Sequence, residues 1–149
     1  MNVELRGLSD ETLNECFALK VGETQAQFIA SNADSWEAAK ENESVARPFA
    51  IICDEKMVGF TMFAFDEDNE DPNDRYWLWR FMIDERFQGN GYGKAALQEI
   101  IRYFKEHGAN NIRLSTKLTN TSALVLYRNA GFRDTGEMNG EELVLQLDL

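Results

Sequence analysis

The chain is 149 residues long, 44% hydrophobic and 28% charged, which suits one ordinary domain with its own core and excludes collagen-like, coiled-coil and disordered chains. A chain of this length buries roughly two-thirds of the surface its unfolded form exposes, so it needs no disulfide or metal staple. Lys and Arg number 15 against 26 Asp and Glu, a formal charge of −11, which repels nucleic acid and anionic lipid and gathers cationic partners.

Asn2 to Gly7 reads as a short strand. Ser9 and Asp10 offer an N-cap to a helix in which Leu13, Cys16 and Phe17 recur at helical spacing. A second helical stretch is expected from Glu23 to Phe28 and a third from Ser35, a cap before Trp36, Ala38 and Ala39. Pro48 stops helical structure. Phe49 to Cys53 then reads as a buried strand, turned by Asp54 and Glu55 into Met57 to Phe65 as a hairpin. Residues 66–74 carry six carboxylates (Asp66, Glu67, Asp68, Glu70, Asp71 and Asp74) and form a solvated loop. Tyr76 to Ile83, apolar on both faces except for Arg80, suits a central strand. Beyond Gln88 to Gly93, the spacing of Leu97, Ile100, Ile101 and Phe104 predicts a long helix closed by Lys105, His107 and Gly108. Ile112 to Thr116 alternates as a strand, and Asn120 offers a cap to a short helix over Thr121 to Asn129. Two last strands, about Phe132 to Met138 and Glu141 to Leu147, flank the hairpin signal Asn139-Gly140. This order, β-α-α-β-β-β-α-β-α-β-β, predicts an α/β (α+β) fold in a single domain, residues 1–149.

No run of about 18 apolar residues exists to span a membrane, and the N-terminus has no apolar leader. Cys16 and Cys53 therefore read as reduced core thiols of a cytoplasmic protein. The single histidine, His107, sits at a helix end and reads as a partner of the C-terminal dipole. One His and two distant Cys make no zinc site. The acidic run has Asp71 where a calcium loop needs glycine, so no metal is expected.

The informative run is Gln88-Gly89-Asn90-Gly91-Tyr92-Gly93, between a central strand and an amphipathic helix. Glycines let the backbone bend and bring its amides close to an anion. The helix N-terminus behind them adds unpaired N–H groups and a positive dipole end. Arg86 and Lys94 bracket the turn. A Walker loop is excluded, because Gln88 stands where its first glycine belongs and Ala95 follows Lys94 in place of Ser or Thr. A dinucleotide fingerprint fails too, since the run reads G-x-G-x-G and follows a late strand. A phosphate cradle and a plain tight turn both remain compatible with the glycines alone.

Gln88 to Gly93 resembles the Gln/Arg-x-x-Gly-x-Gly/Ala motif of GCN5-related N-acetyltransferases. Upstream, Arg80 to Asp84 is similar to that family's pantetheine-binding strand. Downstream, Asn120, Ala123, Tyr127 and Gly131-Phe132 match its Asn-x-x-Ala-x-x-x-Tyr-x-x-x-Gly-Phe segment. The resemblance covers most of the chain, and within the family Trp77 to Gly89 with the acidic insert before it is most similar to bacterial spermine/spermidine N-acetyltransferases. It implies a mixed, twisted, mostly antiparallel sheet flanked by helices, whose central strands splay at an acetyl-CoA cleft. It implies that Gln88, Gly89, Asn90, Gly91, Tyr92, Gly93 and Lys94 hold the pyrophosphate, that Phe81, Met82 and Ile83 align the pantetheine, and that Asn120 contacts the coenzyme. Tyr127, which the helix alone leaves as core packing, becomes by this resemblance the acid that protonates the departing thiolate.

One departure stands out: Trp79 and Arg80 occupy positions where related enzymes often carry an acid, so the strand supplies no general base. A water chain to a first-helix glutamate is the expected substitute. Glu23, Glu37 and Glu41, with the acidic run, would attract a polycation, and Trp36, Trp77, Trp79 and Phe28 either line an amine channel or pack in the core. The implied reaction is direct acetyl transfer from acetyl-CoA to a primary amine, such as spermine or spermidine, with a homodimer suggested by the family. The alternatives are another amine (a diamine, an amino acid or a protein N-terminus) and a non-catalytic coenzyme-binding sensor.

Overall fold

The computed structural model describes residues 2–21 and 31–149. The helices among them are α1 (Asp10–Ala18), α2 (Asn32–Glu41), α3 (Tyr92–Glu106) and α4 (Thr121–Asn129). The strands are β1 (Val3–Gly7), β2 (Ala46–Cys53), β3 (Lys56–Phe65), β4 (Tyr76–Ile83), β5 (Asn111–Lys117), β6 (Arg133–Asn139) and β7 (Glu142–Asp148). They form a 7-stranded sheet in the order β1-β2-β3-β4-β5-β7-β6. Every neighbouring pair is antiparallel except β4 and β5. Parallel neighbours need a crossover, and α3 provides it. The expected α+β architecture with a mixed, mostly antiparallel sheet is the one observed.

The two sheet faces carry different helices. On one face Leu97, Ile100 and Phe104 of α3 and Leu124 of α4 pack against Phe63, Leu78, Leu114, Leu143 and Leu145. The rings of Phe63 and Phe104 meet at 4.7 Å between centroids, so this core combines aromatic and aliphatic burial. On the other face Cys16 and Leu19, in and just after α1, and Ala39 of α2 pack on Ala50, Phe60, Met62 and Met82. Both cysteines are buried and unpaired, as expected, and burial pushes the Cys16 thiol up to about 11, which makes it unreactive at neutral pH.

Local chemistry moves several expected boundaries. Ser31, not Ser35, caps α2: its backbone is extended and its hydroxyl accepts the Asp34 amide at 3.1 Å. Ser35 lies inside the helix and is buried. Strand β2 starts before Pro48, because Gly7↔Phe49 is the last pair with β1 and the missing proline N–H faces no partner strand there. The final hairpin closes at Asn139↔Glu142, so its two-residue loop is Gly140-Glu141, one position later than expected, with Gly140 at φ 61°. His107 ends α3 with Nδ1 2.8 Å from the Tyr103 carbonyl, the helix-end role expected of it. The expected helix at 23–28, with Glu23 and Phe28, lies outside the described residues.

One irregularity shapes the centre of the sheet. In the β3–β4 ladder Met62 pairs with Arg80 and Phe63 with Leu78, leaving Trp79 as an extra residue. Such a bulge bends the strand that carries it. On its other side β4 pairs with β5 at Trp77↔Arg113, so beyond the bulge the two parallel strands diverge.

Candidate active site

A cleft of about 530 Å³ opens where β4 and β5 part. Its lining includes Leu78 to Ile83 of β4, Gln88, Gly89 and Gly93 of the glycine run, Leu114 to Thr116 of β5, Asn120, Ser122, Ala123, Leu126 and Tyr127 at and along α4, and Glu142. Residues from both faces of the sheet contribute, because the gap passes between the strands. The edge of β4 beyond Trp77↔Arg113 is not laddered to β5, which leaves its backbone groups facing a ligand space rather than a strand.

The glycine turn is built by its neighbours. Asp84, only 1% exposed, accepts the Lys20 amide at 2.9 Å and the amide and Nε of Arg86 at 3.0 and 2.8 Å. Burial alone would raise its carboxyl, but these hydrogen bonds and the Arg86 charge outweigh it and hold Asp84 below the usual carboxylate range. A 3-10 turn, Glu85–Phe87, follows, and the Gln88 side-chain amide returns to the Ile83 carbonyl at 2.8 Å. Gly89 and Gly91 take φ of 80° and 82°, the left-handed region that a side chain strains. Gly91 is the N-cap of α3 and Tyr92 its first residue, so the helix's unpaired amides emerge at this turn. A Cβ on Gly89 would meet nothing within 4 Å, which describes a backbone bordered by open space. An elongated phosphate-bearing ligand fits these features: glycine backbone, helix N-terminus and an unladdered strand edge.

Tyr127, on α4, lines the same cleft. Its ring meets Phe132 edge-on at 5.7 Å, and burial pushes its phenol well above the ordinary tyrosine value. Asn120 makes no side-chain capping bond to α4 and also lines the cleft. Arg80 lies against the ring of Trp79, 5.1 Å from its centroid, and its buried Nε has no hydrogen-bond partner among the described residues. Burial lowers the Arg80 guanidinium from its usual value while Glu142 opposes the shift.

The structure brings most of the expected site residues together: Phe81, Met82, Ile83, Gln88, Gly89, Gly93, Asn120, Tyr127 and Trp79 share the cleft. Asn90 and Gly91 of the turn, and Tyr92 and Lys94 in the first turn of α3, do not line the cleft. Glu37 and Glu41 lie exposed on α2, and Trp36, half-buried, has the Lys40 ammonium 5.8 Å from its ring; none of the three lines the cleft. Sequence reasoning missed Ser115 and Glu142. The alternation of β7 sends Leu143 and Leu145 to the core and Glu142 to the opposite face, but no sequence signal set that face beside β4. A second cleft of about 690 Å³ adjoins the first, sharing Leu78, Trp79, Arg80, Ser115 and Glu142 and adding Asp66, Asp74, Arg113 and Glu137. No group of metal-ligating side chains occurs among the described residues.

Comparison with known proteins gives one answer. The model of the acetyltransferase (GNAT) family matches residues 11–132. The chain is 34% identical to the spermine/spermidine N(1)-acetyltransferase of Bacillus subtilis, over 98% of this chain and 99% of that one. Among solved structures it resembles PaiA N-acetyltransferase from Thermoplasma acidophilum in complex with coenzyme A, with a TM-score of 0.71 and 19% identity over the whole of both chains. It also resembles an acetyltransferase from Thermus thermophilus, with a TM-score of 0.78 and 18% identity over 100% of this chain and 98% of that one.

Proposed function

The chain belongs to the acetyltransferase (GNAT) family, and from that premise we propose that this N-acetyltransferase moves the acetyl group of acetyl-CoA directly to a primary amine of a polyamine such as spermine or spermidine. The observation that carries the reading is the cleft between β4 and β5, where the glycine turn and Tyr127 meet. The amides of Gln88 to Lys94, at the positive end of α3, hold the pyrophosphate. Asn120 contacts the coenzyme. The backbone of Phe81 to Ile83 aligns the pantetheine and donates an N–H to the oxyanion that forms as the thioester carbonyl is attacked. Tyr127 donates to the leaving sulfur. Its raised phenol stays protonated in the free enzyme, and the dry surroundings that raise it also make the thiolate more basic, so burial does not cancel the transfer.

Support for a polyamine comes from the 34%-identical relative, from the net charge of −11 and from the carboxylates beside the reaction cleft, Asp66 and, shared with Arg113, Asp74 and Glu137. A second reading rests on Arg80 in the cleft wall: a guanidinium suits an acceptor that carries a carboxylate near its amine, as an amino acid does. Thiol release from acetyl-CoA across spermine, spermidine, a diamine, an amino acid and a peptide decides between them. The polyamines are expected to give the highest kcat/KM. A higher value for the amino acid installs the second reading, and no turnover with any amine leaves a coenzyme sensor.

A further inference from the structure

Strand β4 offers Trp79 and Arg80, and no acid, at the bend beside the cleft, yet a protonated amine must lose a proton before its lone pair can attack. The titratable side chains lining the reaction cleft, among the described residues, are Arg80, Tyr127 and Glu142. Glu142 is the one carboxylate of the three. It stands at the first residue of β7, immediately after the Gly140-Glu141 loop, and faces away from the core that holds Leu143 and Leu145. The Ser115 hydroxyl donates to its Oε1 at 3.1 Å, which fixes one carboxylate oxygen and leaves further lone pairs for a substrate. Glu142 also lines the second cleft. Arg113 already pairs with Asp74 and Glu137 there, at 3.2 and 2.9 Å, so a cation drawn toward Asp66 meets Glu142 as the carboxylate shared by the two clefts. Around it stand Arg80 of β4, Ser115 of β5, Lys117 opposite it in the β5 register and Asn139 opposite it in β6, with Arg113 in the wall of the second cleft.

We propose that Glu142 is the general base of this enzyme, the carboxylate that receives the proton of the attacking ammonium. The inference rests on the acetyl-transfer reading above. The ammonium gives one proton to Glu142, and the freed lone pair forms the C–N bond at the thioester carbonyl. Collapse of the tetrahedral adduct breaks the C–S bond, and the sulfur takes the Tyr127 proton. The second nitrogen proton returns to the phenolate through solvent. Glu142 then releases its proton to water, so that an ammonium and acetyl-CoA become an acetamide, free coenzyme A thiol and one proton.

The test compares wild type with Glu142→Gln and Glu142→Asp on the best amine of the panel, between pH 6 and about 10, the range over which a primary ammonium begins to deprotonate. Glutamine keeps the shape and the Ser115 contact but accepts no proton. At neutral pH its kcat/KM for the amine is expected to fall about 10²-fold or more, with acetyl-CoA affinity unchanged. The deficit shrinks as pH approaches the amine's own pKa, and aspartate restores part of the rate. A loss equal at every pH, or no loss, overturns the assignment of Glu142 while wild-type turnover upholds the acetyl-transfer reading. If wild type acetylates no amine, both fall together. Thermal melting of each variant identifies a loss that comes from misfolding, and in that event the aspartate variant's pH profile decides.

Discussion

At Tyr127 the packing role seen in the structure and the proposed acid role differ by a single atom. Its ring packs on Phe132 and survives in Tyr127→Phe, so folding and coenzyme affinity should be retained. The hydroxyl is lost, and turnover should fall about 10²–10⁴-fold, the usual contribution of a general acid, with solvent substitution favouring the lower end. Melting temperature and kcat measured on the same sample check this; lost stability with normal turnover returns Tyr127 to the scaffold. The glycine turn allows an equally sharp contrast. Gly93 has an ordinary helical backbone, and a Cβ there would meet only Ile83 and Leu126, both at 3.9 Å. Gly93→Ala should therefore fold and bind coenzyme A nearly as wild type does. Gly91 has φ 82° at the mouth of α3, so Gly91→Val adds about 1–2 kcal/mol of backbone strain and sets a branched side chain in the proposed path of the pyrophosphate. Calorimetry should show coenzyme affinity weakened tenfold or more for Gly91→Val in a folded protein, and hardly changed for Gly93→Ala.

Between elements, Asp84 ties the end of β4 to Lys20 after α1 and to the turn before α3. Asp84→Asn removes the charge and leaves part of three donors unmatched, and should destabilise the protein by about 1–3 kcal/mol at neutral pH. Because the folded carboxyl is held below its usual value, its contribution is complete above the unfolded value of about 3.9 and fades as pH falls through the lower folded one. Urea melts of wild type and Asp84→Asn should accordingly differ at pH 7 and converge below about pH 4; a constant difference across that range would contradict the hydrogen-bonded clamp. This clamp also shows where sequence reading stops. Local chemistry made α3, its glycine turn and the β2–β3 hairpin legible, since periodicity and turn residues act over a few positions. The order β5-β7-β6, the bulge at Trp79 and the Asp84–Lys20 link are long-range pairings with no local signature. Glu142 was invisible for that reason: alternation fixes its face, but only the insertion of β7 between β5 and β6 brings that face beside the cleft.

Over the whole molecule, the charge of −11 acts at a distance that individual contacts do not. The acidic loop between β3 and β4 divides the work: Glu67, Asp68 and Glu70 are exposed, whereas Asp66 is half-buried and lines the second cleft with Asp74. Asp74 is partly spent on Arg113, whose NH1 lies 3.2 Å away. The remaining carboxylates form a field that a cation feels before it touches the protein. Salt shortens that reach to about 8 Å at physiological ionic strength. The kcat/KM for spermine should therefore fall as salt rises, and fall more steeply than that for a monoamine, because each ammonium group samples the same field. Neutralising Asp66, Glu67, Asp68 and Glu70 together to Asn and Gln should raise the KM for spermine more than that for the monoamine and flatten the salt dependence. Folding should be little affected, since these side chains make few contacts beyond the Asn69 amide's bond to Asp66 at 3.3 Å. Steady-state rates for both amines over a salt series supply the measurement. Equal changes in KM for the two amines would show that the loop is a solvated surface and that recognition resides within the clefts alone.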